Sequence, residues 1–245
     1  MTALKPILTA LGLDWLTKAL TSSVGKKFVM GITGLLLCGF LVTHLAGNLL
    51  LLVNDGGASY NAYAHALHDN PKLIIVVEVM LALLFFTHIY LAIATTLENR
   101  SARGPVGYEE VNSKIEKRTL DAKISPSNWM FVSGAVILGF VLLHLFDFTL
   151  EFRTDIDYEK TTEVHGEEIK DAYSKAESIL QTPVSIVVYA VGCLFLGLHL
   201  RHGFSSAFQS LGFNHPKWNP IIHYVGIAFA ISIAAGFGFF IFWAN

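Results

Sequence analysis

The sequence is poor in charged residues and in cysteine. Only 15% of its 245 residues are charged, against about 25% in a typical soluble domain. The formal net charge of −2 provides no basic field for nucleic acid. Two cysteines, Cys38 and Cys193, cannot hold an iron–sulfur cluster, and without a Cys-x-x-Cys-His segment no haem can be attached covalently.

The glycine-rich signatures of nucleotide binding are missing as well. Neither Gly-x-Gly-x-x-Gly nor Gly-x-x-x-x-Gly-Lys-Ser/Thr occurs, and the segment Gly25-Lys26-Lys27 lacks the upstream glycine of the second pattern. Flavin, nucleotide and cluster chemistry is therefore not expected in this chain.

Long apolar runs take the place of these features. The chain is 53% hydrophobic, with a mean hydropathy of +0.53. Five runs have the roughly 20 residues that a helix needs to cross a bilayer. They cover 28–53, 73–97, 129–150, 184–205 and 221–243. Because backbone polar groups must be satisfied inside a bilayer, the runs predict an all-α, five-helix transmembrane bundle, one membrane domain over 28–245.

The distribution of lysine and arginine predicts the orientation of this bundle. Residues 1–27 are expected to form an amphipathic arm, because apolar residues recur there at helical spacing. These are Leu4, Ile7, Leu8, Leu11 and Trp15. Eleven of the 17 basic residues lie in the arm and in the loops after the second and fourth runs, and a twelfth, Arg201, lies at the end of the fourth run. The positive-inside rule then places the N-terminus in the cytoplasm and the C-terminus outside. The expected location is the cytoplasmic membrane of a bacterium. The acidic stretch 151–182 becomes an outside loop, with a short helix expected around 167–178.

Four histidines lie deep within four different runs. His44, His88, His144 and His199 each fall 15 or 16 residues from the start of their run. Since consecutive spans are antiparallel, equal offsets give two depths, with His44 and His144 near the outside and the other two near the cytoplasm. Two neutral imidazoles on facing helices can be the axial ligands of a haem. Packing histidines remain an alternative, whereas a zinc site, which usually needs four ligands at one point, explains two depths poorly.

The residues around these histidines resemble a known family. Gly25-Lys26-Lys27 leads into the first run, which continues through Gly34 to His44-Leu-Ala-Gly-Asn48. The third run contains Ser133-Gly134, nine residues and His144. The fourth contains His199-x3-Gly203, and Gly212 follows after eight more residues. Together they resemble the dihaem cytochrome b membrane-anchor subunit of succinate:quinone oxidoreductases, the succinate dehydrogenase and fumarate reductase family.

This resemblance implies an electron-transfer subunit of an enzyme whose dicarboxylate chemistry lies elsewhere. Two haem b groups would pass electrons between an iron–sulfur subunit, itself fed by a flavoprotein subunit, and a membrane quinone, with menaquinone expected where two haems are present. The arm and the basic loop 98–126 are the expected docking surface.

The fourth run offers two histidines as haem ligands. In the family the ligand is followed by glycine four residues later, which fits His199 and Gly203 but not His202. Gly203 would let a porphyrin approach, because it lies one turn from His199 and has no side chain. His202 remains the alternative ligand.

Several other polar residues have two open interpretations. Glu78 and Asp147 lie within spans, either exposed at the outer interface or acting as proton carriers near the outer haem. His65 and His68 in the first outside loop are either solvated or involved in proton transfer and quinone binding.

Two other classes of protein remain open. One is the haem b anchor of another quinone-linked oxidoreductase, such as a hydrogenase or formate dehydrogenase. The other is a haem-free proton-coupled transporter, which often has repeat halves and broken helices. No repeat stands out, and Pro71, Pro126, Pro183 and Pro220 all lie at span starts, both of which argue against a transporter.

Overall fold

A computed structural model describes Gly12, 14–103, 126–164 and 166–245. Eight α-helices and one β-hairpin make up these parts of the chain. In chain order they are α1 (Asp14–Thr21), α2 (Ser23–Asn48), α3 (Ala58–His68), α4 (Pro71–Arg103), α5 (Pro126–Phe148), β1 (Thr161–Val164), β2 (Glu167–Lys170), α6 (Ala172–Leu180), α7 (Pro183–Ser210) and α8 (Asn219–Ala244).

Five of these helices are long and apolar enough to cross a membrane, which confirms the predicted all-α transmembrane bundle. They are α2 with the 3-10 turn Leu49–Leu52 that continues it, α4, α5, α7 and α8. Their outward faces carry large apolar side chains, including Phe86, 67% exposed, and Phe242, 80% exposed. Such a surface would be unfavourable in water and is satisfied by lipid.

The helix α7 is the centre of the bundle. It packs against α8, α5 and α2, and α2 packs in turn against α4. Small residues allow close approach, since a Cβ at Gly197 would lie 2.9 Å from that of Ala234 and one at Gly236 would lie 2.8 Å from Leu45 Cδ2.

One end of the bundle is covered by α3, the hairpin and α6, and we call it the capped end. β1 pairs antiparallel with β2, with Thr161 opposite Lys170. Asn61 of α3 is 2% exposed and joins the two loops, because its Nδ2 donates to Asp171 Oδ1 at 3.0 Å and its Oδ1 accepts from the Tyr173 backbone at 2.8 Å. The C-terminus lies at this end, where Asn245 donates to the Leu180 carbonyl.

Several predicted boundaries change, including those of the second and fourth spans, whose helices cover Pro71–Arg103 and Pro183–Ser210. The first spanning helix begins at Ser23 rather than at residue 28, because Ser22 caps it by accepting from the Gly25 backbone N–H at 3.0 Å. The arm therefore ends at this cap, and its residues 1–11 lie outside the described residues. The helix expected over 167–178 is wrong in its first half, since 167–170 pair with β1 and the helix covers Ala172–Leu180.

Candidate functional site

The four histidines form two pairs inside the bundle. The ring centroids of His44 and His144 are 5.9 Å apart, and those of His88 and His199 are 6.4 Å apart. The first pair lies toward the capped end and the second toward the opposite end. Gly34 lies beside the ring of His88, and it precedes His44 by ten residues, so the two pairs are separated by about 15 Å along α2.

The spacing within each pair fits two axial ligands of one iron. With a metal–nitrogen bond of about 2.0–2.1 Å, two imidazoles on opposite sides of a metal have ring centres roughly 6 Å apart. His44 and His144 lie on α2 and α5, and these two helices do not pack closely against each other in the described chain. The same holds for α4 and α7, which carry His88 and His199. Each pair therefore bridges helices whose backbones are held apart.

The helix surface between the two pairs is made open by glycine. A Cβ added at Gly39 or Gly139 would have no neighbour within 4 Å, and those at Gly34 and Gly134 would meet only the rings of His88 and His199. Missing side chains at these four positions leave space beside the imidazoles for a flat macrocycle.

Hydroxyl groups orient the pair at the uncapped end. Thr33 Oγ1 lies 3.2 Å from His88 Nδ1, and Ser133 Oγ lies 3.0 Å from His199 Nδ1. Each hydroxyl donates its one proton to the carbonyl three residues earlier, at 3.1 Å for Met30 and 3.0 Å for Met130. The oxygen must then accept from Nδ1–H, which leaves the Nε2 lone pair free for a metal.

At the capped end, only His144 has such a partner among the described residues. Tyr189 OH lies 3.4 Å from His144 Nδ1 and donates to Asp147 Oδ2 at 2.9 Å. The Asp147 side chain is fully buried, and its Oδ1 lies 3.6 Å from Arg153 Nη1. The ring of His44 stacks on Phe40 instead, with centroids 5.3 Å apart.

The repeated contacts reveal an internal sequence repeat, so the expectation that the chain has no repeat is wrong. The first and third spans share the pattern Met-x2-Thr/Ser-Gly-x4-Gly-Phe-x3-His-Leu, starting at Met30 and Met130. Every matched residue differs by 100 in number. Thr33 and Ser133 are not ionisable, so the pattern of histidines and carboxylates did not predict them as partners. The repeat could have predicted them, because they occupy equivalent positions 100 residues apart.

The structure distinguishes the two histidines of α7. His199 faces His88, whereas His202 lies one turn further along and makes no ring contact with His88 among the described residues. A Cβ at Gly203 would lie 4.0 Å from His199 Cδ2 and 3.7 Å from Met130 Cε. Gly203 therefore lies against the imidazole of His199.

The two carboxylates predicted within spans have opposite environments. Glu78 is exposed on the lipid-facing surface of α4, seven residues after the helix begins. Asp147 is 0% exposed, so its expected exposure at the interface is wrong, because Tyr189 and Arg153 compensate the carboxylate inside the bundle.

His65 and His68, which were predicted to lie in a loop, lie on the helix α3. His65 Nε2 lies 3.5 Å from Asp69 Oδ1 and 3.6 Å from Glu167 Oε2, and His68 Nδ1 pairs with the Ala64 carbonyl at 2.8 Å. In the described parts of the chain, neither one has a hydrogen bond or ring contact with the two histidine pairs.

Charged groups of the cap surround Arg153 and Asp171. The hydrogen bond with Asp155 raises the pKa of Arg153, and the same contact lowers the pKa of Asp155. Burial acts to raise the pKa of Asp171, but hydrogen bonds from Ser174 and Asn61 outweigh it and leave the pKa below its ordinary value.

Within the described parts of the chain, no three histidine, cysteine or acidic side chains converge to hold a metal ion. Two nitrogens at each depth suit an iron whose other four ligands come from a porphyrin. The fold and this site define a multi-pass helical membrane protein with two half-buried histidine pairs. Neither a family model, a curated protein nor a solved structure was found to match the chain.

Proposed function

We propose that this chain is a dihaem cytochrome b subunit, with His44 and His144 as the axial ligands of one haem and His88 and His199 as those of the other. The observation that carries the proposal is the presence of two cross-bundle pairs with ring centroids 5.9 and 6.4 Å apart. When bound, each haem would supply one-electron transfer.

The chain's own residues prepare the site for this cofactor. Thr33, Ser133 and Tyr189 hold Nδ1–H of three ligands and thereby aim Nε2 at the metal. The surrounding apolar helices exclude water, so the imidazoles stay neutral and available.

The proposed physiological role is that of the membrane anchor of a succinate:quinone oxidoreductase. Its support is the resemblance of the Ser133-Gly134-x9-His144 and His199-x3-Gly203-x8-Gly212 segments to that family. A flavoprotein subunit would bind the dicarboxylate, and an iron–sulfur subunit would exchange electrons with the haem held by His88 and His199.

The proposed orientation puts the uncapped end in the bacterial cytoplasm and the capped end outside. It is supported by Lys26, Lys27 and Arg100 at the uncapped end, and by the basic composition of the arm and of the loop 98–126, which the positive-inside rule assigns to the cytoplasm. Residues 104–125 of this docking loop lie outside the described residues.

A membrane quinone, expected to be menaquinone, would react on this subunit. Of the two carboxylates within spans, Glu78 is exposed to a molecule dissolved in the bilayer, whereas Asp147 is not. Glu78 is therefore the better candidate for taking a proton from quinol.

Succinate-driven haem reduction in isolated membranes tests this role. The proposal predicts that succinate reduces haem b and that a flavoprotein copurifies with this chain. His199→Ala should remove the haem next to the iron–sulfur subunit and thereby greatly slow succinate-driven reduction of the haem that remains. His223→Ala is the matched control, because His223 lies outside both pairs. Reduction by hydrogen or formate but not by succinate would instead favour the anchor of a hydrogenase or formate dehydrogenase.

A further inference from the structure

His144 is the only one of the four paired histidines that the described structure links to a charged group. Its Nδ1 lies 3.4 Å from Tyr189 OH, and that hydroxyl donates to the carboxylate of Asp147 at 2.9 Å. The partners of His88 and His199 are hydroxyls that donate to neutral backbone carbonyls. The two ends of the bundle therefore differ in the electrostatic environment of their imidazoles.

The direction of these hydrogen bonds follows from the number of protons available. Tyr189 has one hydroxyl proton, and Asp147 accepts it. The phenol oxygen can then only accept from His144, so that Nδ1–H is the donor. A carboxylate behind the phenol makes its oxygen a stronger acceptor, because hydrogen bonds in a chain polarise one another.

The charge on Asp147 is only partly compensated by its neighbours. Arg153 Nη1 lies 3.6 Å from Asp147 Oδ1, beyond hydrogen-bond distance, while the same guanidinium hydrogen-bonds Asp155, Thr182 and Ser185. Oδ1 of Asp147 is fully buried and has no hydrogen-bond partner among the residues that the structure describes. The negative charge is thus shared with Tyr189 more directly than with the arginine.

We propose that Tyr189 and Asp147 are a positioning pair that makes the imidazole of His144 more electron-rich and so lowers the reduction potential of an iron held by His44 and His144. This inference rests on the proposed function. An imidazole whose Nδ1–H is drawn toward a carboxylate donates more strongly to a metal at Nε2 and stabilises the oxidised iron. Thr33 and Ser133 orient their histidines without this added charge.

Redox titration of the full-length chain, purified with its haem and followed by visible absorbance, tests the pair. Tyr189→Phe removes the hydroxyl and leaves the carboxylate, and Asp147→Asn removes the charge and leaves a polar group. Each variant should make the same single haem easier to reduce by about tenfold, which is about 59 mV for a one-electron couple. The haem that shifts should be the one lost in His144→Ala.

Two variants serve as matched controls. Tyr173→Phe removes a phenol of the cap that packs on Trp243, and Asp157→Asn removes a carboxylate of the cap that accepts from the Glu159 backbone. Neither variant should change the equilibrium constant for reduction of either haem by more than about twofold. The reason is that neither residue contacts the chain of hydrogen bonds from His144.

The possible outcomes separate this inference from the proposed function. If both haems are retained and neither Tyr189→Phe nor Asp147→Asn changes the difference between their reduction potentials, the positioning role is wrong while the dihaem proposal stands. A shift in Asp147→Asn without one in Tyr189→Phe would indicate a charge acting at a distance and would also overturn the pair. A wild-type chain without haem would overturn both proposals.

Discussion

At the scale of single residues, the site depends on which nitrogen of each imidazole carries the proton. Thr33 and Ser133 settle this for His88 and His199 by donating their own protons to backbone carbonyls. A hydroxyl in an apolar span would ordinarily be expected only to donate a hydrogen bond to a backbone carbonyl of its own helix. Here the same oxygen also accepts from a second helix, so one small side chain fixes both its rotamer and the tautomer of a ligand.

Replacing Thr33 by valine tests this role at constant shape. The variant leaves Nδ1–H of His88 without an acceptor, which costs about 1–3 kcal/mol when the group is buried. Affinity for the haem held by His88 should fall by about tenfold, measured as the haem retained after prolonged dialysis. Thr43→Val is the control, because Thr43 makes the same backbone bond to Phe40 but faces outward. Equal haem retention in both variants would contradict the role of Thr33.

The two histidines of α7 provide a second test at this scale. His199→Ala should yield a protein with one haem instead of two, since the alanine removes an axial ligand facing His88. His202→Ala should keep both haems, because His202 lies one turn beyond the pair. The haem-to-protein ratio of each purified variant measures this, and the reverse result would make His202 the ligand.

At the scale of elements, the bundle is held by close helix contacts around α7. A Cβ at Gly192 would lie 2.5 Å from Cγ of Phe140, whose ring packs in turn near His144 and Tyr189. The contact of α5 with α7 therefore requires glycine at this position.

Gly192→Ala should lower the melting temperature of the detergent-solubilised protein. Overpacking costs about 1–3 kcal/mol because Phe140 must move. Gly238→Ala is the matched control, since a Cβ there meets nothing within 4 Å, and alanine in a helix is favoured over glycine by roughly 0.5–1 kcal/mol. A melting temperature unchanged by Gly192→Ala would show that the ring has free space.

The cap provides a pH test at the same scale. The pKa of Asp171 is lower in the folded cap than in an unfolded chain. Its contribution to stability is therefore complete above the ordinary carboxyl pKa of about 4 and is lost as the pH falls through the folded value. Hydrogen exchange in α3 and α6, corrected for intrinsic rates, should accelerate below pH 4.

Asp171→Asn should reduce this acceleration, because the asparagine does not titrate. Asp157→Asn is the control, since its carboxylate accepts only from the nearby Glu159 backbone. If the wild-type cap exchanges equally at pH 6 and pH 3, the ionised Asp171 does not stabilise it.

Sequence patterns predicted some elements better than others for physical reasons. Spans follow from hydropathy because lipid requires long apolar helices, but the hydropathy of residues 23–27 conceals a helix that begins at the Ser22 cap, outside the apolar run. The hairpin was missed because β1 and β2 are short and polar. Asn61, which joins α3 to Asp171 and Tyr173, depends on contacts distant in sequence.

Within the site, the ionisable residues were predicted and their partners were not. A histidine inside an apolar run is conspicuous in any sequence, as is Asp147. Tyr189 and Ser133 are common residues in spans, and their contacts depend on the rotation of α7 and α5 about their axes. The sequence indicated the hydroxyl partners only through the 100-residue repeat, in which Thr33 and Ser133 precede equivalent glycines.

At the scale of the whole molecule, the repeat explains why the pairs lie at two depths. Equivalent residues of α2 and α5 place a histidine toward the capped end and a hydroxyl toward the other end, and α4 and α7 supply the histidines that meet those hydroxyls. A bundle built in this way has two similar sites about 15 Å apart along its axis.

The repeat also bears on the alternative of a transporter. Transporters often contain repeats, so the repeat removes one argument against that class. The two histidine pairs favour the proposed cytochrome.

The haem content of the purified chain tests the central proposal most directly. A pyridine haemochrome assay together with a reduced-minus-oxidised spectrum should give two haem b per chain with the bands of low-spin, bis-histidine iron. His44→Ala and His88→Ala should each remove a different one of the two. A wild-type preparation that was never stripped and contains no haem would contradict the proposal and would favour a haem-free transporter.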